Sequence, residues 1–244
     1  MIYNARKGQY IYGQGIGILK LDNDFTPFIP GDVSNASTFN FPVTYEVVKG
    51  LTIERATSKD PTALEALIIA GKKLENSGVK AISSSCGYLG FFQCDLARVL
   101  RIPVFLSSLL QLPLISAMVG PNRKVGIICA REATFDKSLL EAVGVNPMLP
   151  IVVKGLDNFD NFCRSLINMA GYLDPERIEE EIVTLSKKMV EEAPSIGAIL
   201  LECADLPPYS KAVQQAINLP VFDFVTMINY VFSATVRAKF EGFM

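Results

Sequence analysis

The stretch AISSSCGYLGFFQCDLARVLRIPVF, residues 81–105, returns at residues 198–222 as AILLECADLPPYSKAVQQAINLPVF, aligned without a gap at an offset of 117. Identical pairs are Ala81/Ala198, Ile82/Ile199, Cys86/Cys203, Leu89/Leu206, Pro103/Pro220, Val104/Val221 and Phe105/Phe222. Working outward, each copy is preceded by a helix announced in the same way: Asp60-Pro61 and Asp174-Pro175 set an N-cap acid before a proline at the first helical position. Leu64, Leu67, Ile68 and Leu74 mark the apolar face of the first helix; Ile178, Ile182, Leu185 and Met189 mark that of the second, which reads as about one turn longer. Further upstream, IGIL at 16–19 matches VGII at 125–128. Strands are expected at 15–20, 46–54, 80–85, 104–107, 124–129, 148–153, 197–202 and 221–224. Short β-branched runs alternating with helical patterns predict an α/β protein with parallel sheets and crossover helices, built as a duplication.

Composition narrows the chemistry. The 244 residues are 50% hydrophobic and 20% charged with a net charge of −2, which excludes a disordered chain and leaves no basic footprint for nucleic acid. There is no histidine, so Ser-His-Asp and Cys-His schemes and histidine-ligated metals are excluded. The cysteines, Cys86, Cys94, Cys129, Cys163 and Cys203, are odd in number and form no CxxC, so neither a disulfide framework nor a zinc site is expected. The first residues carry no apolar leader pattern, and a cytoplasmic setting is the expectation. The uncharged run 102–122 is broken by Pro103 and Pro113 and reads as a buried strand followed by an apolar helix, so no membrane partner is expected.

Parallel sheets collect ligands at the carboxyl ends of their strands. Two lobes facing across a pseudo-twofold axis would bring Cys86 and Cys203 to one cleft, each before a helix whose N-terminus favours thiolate. A free cysteine is ordinarily a small buried hydrophobe; recurrence at the same place in both copies sets this pair apart. Cys94, Cys129 and Cys163 lack counterparts and read as packing residues. Opposed thiols suit removal of a proton from one face of a carbon and return to the other, provided backbone N–H groups near Gly87–Tyr88 and Ala204–Asp205 stabilise the carbanion.

The duplication, the two cysteines and their surroundings SSCGYLG and LECADLPPY resemble the aspartate/glutamate (and hydantoin) racemase superfamily over nearly the whole chain. Residues 30–42, 102–113 and 219–229 are similar to one branch of it. The resemblance implies two flavodoxin-like lobes, each with a four-stranded parallel sheet flanked by helices, and Cys86 and Cys203 as the base pair. It also implies no cofactor, no metal, and a homodimer or higher homo-oligomer. The helix after each fourth strand would cross to the other lobe, giving lobe one residues 1–106 plus 225–244 and lobe two 107–224. Where the superfamily's amino-acid racemases follow the first cysteine with Asn-Thr to hold a carboxylate, Gly87 and Tyr88 stand here, which puts aspartate and glutamate in question as substrates. Ala204 and Asp205 replace Thr and an acid or histidine after the second; Asp205 keeps an acid to tune Cys203 or grip an amine. Thr134 matches by position a threonine after the fifth strand. Ser85 and Ser107, at strand ends, could donate to a carboxylate or simply cap. The polar loop 27–42, without equivalent in the second copy, offers Asn35 and Thr38 as binding residues.

GQGIG at 13–17 does not lie between strand and helix, GPNRK at 120–124 lacks Walker spacing, and no GxSxG occurs. The expected activity is therefore a cofactor-independent isomerase, a racemase of an amino acid or related small anionic carboxylate. Maleate-isomerase or arylmalonate-decarboxylase chemistry on the same scaffold, and a non-catalytic small-molecule binding protein, are the alternatives.

Overall fold

The computed structural model describes residues 2–23 and 25–244. The first half runs β1 (Ile16–Lys20), β2 (Val43–Val47), α1 (Ile53–Thr57), α2 (Pro61–Ser77), β3 (Ala81–Ser84), α3 (Gln93–Val99) and α4 (Leu112–Val119). The second runs β4 (Lys124–Cys129), α5 (Lys137–Ala142), β5 (Ile151–Gly155), α6 (Asp160–Phe162), α7 (Pro175–Glu192), β6 (Ile196–Leu201), α8 (Ser210–Ile217), β7 (Val221–Phe222) and α9 (Phe224–Thr235). One parallel sheet has the order β2-β1-β3, the other β5-β4-β6-β7. Helices flank both, so the chain is an α/β protein with two similar parallel sheets.

The duplication is visible bond by bond. Ile82 N–H donates to Pro103 at 2.9 Å and Ile199 N–H to Pro220 at 2.9 Å. Ser85 N–H donates to Leu19 as Glu202 N–H does to Ile128, and Leu89 N–H donates to Cys86 as Leu206 N–H does to Cys203. Asp60 accepts from Thr62 N–H and Asp174 from Arg177 N–H, each with proline in the first turn. The central strands carry the same small residue under the same helix. A Cβ on Gly17 would come within 3.1 Å of Leu74, and one on Gly126 within 3.1 Å of Met189, so glycine at both places gives α2 and α7 room to pack closely.

Four corrections follow from local chemistry. The strand expected at 46–54 is Val43–Val47 instead, because Gly50 turns with φ of +72° and Thr52 caps α1. The strand expected at 148–153 begins only at Ile151, after Pro150. The strand expected at 104–107 is a single bridge, Ile82 to Val104, so the first sheet has three full strands rather than four. Pro103 has no N–H to extend the ladder, and Ser107 already caps the next 3-10 turn. The capped helices differ by one residue, 17 against 18, not by a turn.

The strands alternate their faces. Ile16 and Ile18 pack with Phe224, Met227 and Ile228 of α9, whereas Leu19 packs with Leu67 and Leu74 of α2. In the second sheet Ile128 faces Ile178, Ile182 and Met189 of α7, and Val125 and Ile127 share a core with Ile115 of α4. Thus α4, which follows the first sheet, packs on β4 and β6, while α9 packs on β3. Ser108 Oγ donating to Leu201 O and Gln111 Nε2 to Asp223 O, at 3.1 and 2.9 Å, tie the halves together. Among the described residues no helix is long and apolar enough to cross a membrane.

Candidate active site

Both sheets end at one cleft of about 140 Å³, and both Cys86 and Cys203 line it. A cavity of this order holds a ligand of roughly six to eight heavy atoms. Cys86 leaves β3 and caps the 3-10 helix Gly87–Phe92. Cys203 stands two residues beyond β6, ahead of the short turn Pro207–Tyr209. Neither sulfur faces the N-terminus of a full α-helix, so the expected dipole is a single turn of N–H groups.

That difference decides the protonation state. Burial, then the Glu202 carboxyl, push the Cys86 thiol up to about 12, although the Tyr88 and Leu89 N–H groups point at it. Burial, Asp205 and Glu202 hold the Cys203 thiol well above its ordinary value. At neutral pH both are thiols, which corrects the expectation of resting thiolates: desolvation beside carboxyls outweighs two backbone amides. Cys203 Sγ lies 3.6 Å from Asp205 Oδ2, a hydrogen bond that gives its proton somewhere to go.

Buried acids cluster beside Cys203. Burial raises both Asp32 and Asp205, which face each other across a hydrogen bond, so the pair holds one proton between them. Burial lowers Lys20, opposed by Asp205, Asp32 and Cys86. Its ammonium bonds to Asn23 Oδ1 and sits 4.1 Å from the centre of the Phe28 ring. Glu202 is 1% exposed, and its Oε1 has no hydrogen-bond partner among the described residues. Burial first, then Asp205, raise it to about 8. The lining also includes Asp22, Glu54, Phe28, Phe162 and Arg131.

The residues singled out from sequence divide by place. Cys86, Cys203, Ser85, Gly87, Tyr88 and Asp205 line the cleft. Ser85 Oγ accepts from Leu21 N–H, and the Tyr88 hydroxyl bonds to Thr134 Oγ1 and to Arg131 O. Thr134 thus reaches the cleft only through Tyr88. Ser107 is fully buried as a cap on Leu109 N–H, and Ala204 is fully buried with its carbonyl accepting from Val33 N–H. Asn35 caps the 3-10 turn Ala36–Thr38 and donates to Phe28 O; Thr38 bridges Gly31 N–H and Asp32 O. These last four lie outside the cleft and shape its walls. From the same loop, Phe28, Ser34 and Asp32 reach the site instead. Sequence reading passed over Lys20, Arg131 and Glu202. The one available clue for Glu202 was a charge closing the apolar run 196–201.

The fold, two duplicated parallel sheets that meet at one cleft, is shared with solved enzymes. Among solved structures, unliganded arylmalonate decarboxylase superposes with a TM-score of 0.60 at 14% identity, covering 93% of this chain and 94% of that one. An aspartate racemase homologue from Pyrococcus horikoshii OT3 gives 0.54 at 18%, covering 90% and 99%. No protein-family model matches the chain. Curated sequences are more specific. A dimethylsulfoniopropionate lyase of Durusdinium sp. clade D is 32% identical over 231 residues, 88% of this chain and 73% of that protein. Dimethylsulfoniopropionate lyases 5 and 7 of Emiliania huxleyi are 31% and 34% identical over 90% of this chain, which spans 45% and 66% of their lengths. The chain belongs to the family of these dimethylsulfoniopropionate lyases.

This overturns the expected activity. Relatives matched over most of the chain are lyases, so the assignment as an isomerase that racemises an amino acid is withdrawn. The superfamily fold was read correctly, but a shared scaffold does not carry one reaction.

Proposed function

We propose that this chain is a lyase that releases dimethyl sulfide from dimethylsulfoniopropionate. The substrate class is a small zwitterion with a carboxylate at one end and a sulfonium on the β carbon. What supports this reading within the cleft is its lining: carboxyls of Asp22 and Glu54 beside the aromatic rings of Phe28 and Phe162, with Arg131 also on the wall. Aromatic faces and acids suit a sulfonium cation, and the Arg131 guanidinium, which makes no ion pair among the described residues, suits the carboxylate.

The chemistry is a β-elimination. Cys203 passes its proton to Asp205, and the resulting thiolate takes the proton from the α carbon. The electron pair left there forms the Cα–Cβ double bond as the Cβ–S bond breaks, and that bond's pair leaves on neutral dimethyl sulfide. Acrylate remains, and charge balances without oxidant or reductant. The substrate's own positive charge favours the thiolate that burial and the neighbouring carboxyls disfavour. An elimination needs one base, so Cys86 is released from returning a proton.

Supplied with dimethylsulfoniopropionate, the purified chain is expected to produce dimethyl sulfide and acrylate in equal amounts, read by headspace gas chromatography and by proton NMR. Absence of both products at enzyme concentrations approaching substrate would reject the reading.

A further inference from the structure

Glu202 follows β6 directly, ahead of Cys203, and lines the cleft that also holds Cys86. It is almost wholly buried, and Oε1 has no partner among the described residues. Gly87 makes the room: a Cβ there would fall 1.7 Å from Glu202 Oε1 and 2.8 Å from the Glu202 carbonyl. A side chain in place of this hydrogen would fill the space that the carboxyl occupies. The groups facing Glu202 are the Cys86 thiol and Tyr88 phenol from the first half, Cys129 at the end of β4, and Cys203 and Asp205 from its own loop. None is a cation. An isolated buried carboxylate among acids costs far more than a neutral acid, so the group carries a proton. A protonated acid in a dry site is a hydrogen-bond donor for an oxyanion.

We propose that Glu202, as a neutral carboxylic acid, donates a hydrogen bond to the carboxylate of the substrate and to the second negative charge that builds on it as the α proton leaves. The inference rests on the lyase reading for the second half of that statement. Recognition of a carboxylate by Glu202 stands without it. Arg131 supplies a fixed charge at the wall, whereas Glu202 supplies a donor whose strength rises as charge develops.

Propionate, which has the carboxylate but no leaving group, is the probe. Its dissociation constant is measured by calorimetry from pH 6 to 9.5 for the wild-type chain, Glu202→Gln and Glu202→Ala, with thermal unfolding confirming that each variant folds. Wild-type affinity is expected to fall about tenfold per pH unit above about 8, as Glu202 ionises. Gln keeps a donor but no proton to lose, so its affinity stays level over the same range. Ala weakens binding by about ten- to a hundredfold at pH 6.5. Turnover of dimethylsulfoniopropionate by the wild-type chain should lose kcat/KM along the same alkaline limb, and the Gln variant should lack that limb.

An equal alkaline loss in the Gln variant would assign the effect to Lys20 and overturn the proposal. So would a wild-type affinity that is flat or rises with pH. Trimethylsulfonium binding that tightens above pH 8 and vanishes in Glu202→Gln would also overturn it, by making Glu202 an ionised partner of the cation. If no dimethyl sulfide forms but the propionate profile is as expected, the lyase reading fails and the carboxylate site stands.

Discussion

Cys86 and Cys203 occupy equivalent places in the two copies but unequal surroundings. Cys203 has a carboxylate hydrogen-bonded 3.6 Å from its sulfur, while the Cys86 sulfur meets backbone N–H groups and the nearby Glu202 carboxyl but has no side-chain acceptor bonded to it. The thiol with a proton acceptor is the better base. Cys203→Ser is therefore expected to lower kcat for dimethyl sulfide release by about a hundred- to ten-thousandfold with little change in KM. Cys86→Ser should cost less and act mainly on KM. Steady-state kinetics on the two variants decides this, and equal losses in kcat would make both thiols proton carriers. The cysteines were legible because the repeat marks them, and Asp205 because it stands two residues after the second of them. Glu202 was not: its counterpart in the first copy is Ser85, and an acid at a strand end ordinarily meets water. Only its placement over Gly87 buries it.

At the scale of elements, local chemistry was read well where one residue sets a boundary. Asp174 accepts from Arg177 N–H at 3.2 Å and Pro175 opens α7. Asp174→Ala is expected to lower stability by about 1 kcal/mol, read as a shift of the urea midpoint at unchanged slope. The run after Pro103 was read correctly as apolar, and α4 buries Leu112 and Ile115 between the halves. The misplaced strand at 43–47 shows the limit. Its residues are half-buried, so its alternation is weak, and the apolar residues of 46–54 include Leu51, which is fully buried yet lies in a turn. Likewise the segment behind α6 passes into a π-helical turn, Cys163–Ile167, which swings Leu166 and Ile167 onto the cleft wall with Phe162. A periodicity of 3.6 does not anticipate such a turn.

For the whole molecule, the consequence of duplication is that the cleft belongs to both halves. Ser85, Cys86 and Tyr88 come from one and Arg131, Glu202 and Cys203 from the other. A ligand that touches both should stabilise the chain as a unit. Propionate at a hundred times its dissociation constant is expected to add about 2.7 kcal/mol and to raise Tm by roughly 5–10 °C. Scanning fluorimetry checks this, and an unshifted Tm at a saturating concentration would place the ligand away from the junction. Neither sheet closes this site alone, because each contributes one sulfur and one wall.

The sequence by itself determined the parallel α/β repeat, the capped helices and the two cysteines, since strand alternation, helix capping and a recurring motif are properties of neighbours along the chain. It did not determine the reaction, because a racemase scaffold and a lyase scaffold are written in the same periodicities. The tertiary structure decided which polar groups are stripped of water and which charges face one another. Those are the quantities that turn two cysteines into thiols, pair Asp32 with Asp205, and leave Glu202 holding a proton. They depend on distances between residues more than a hundred positions apart, and on a dielectric that exists only after the halves have packed.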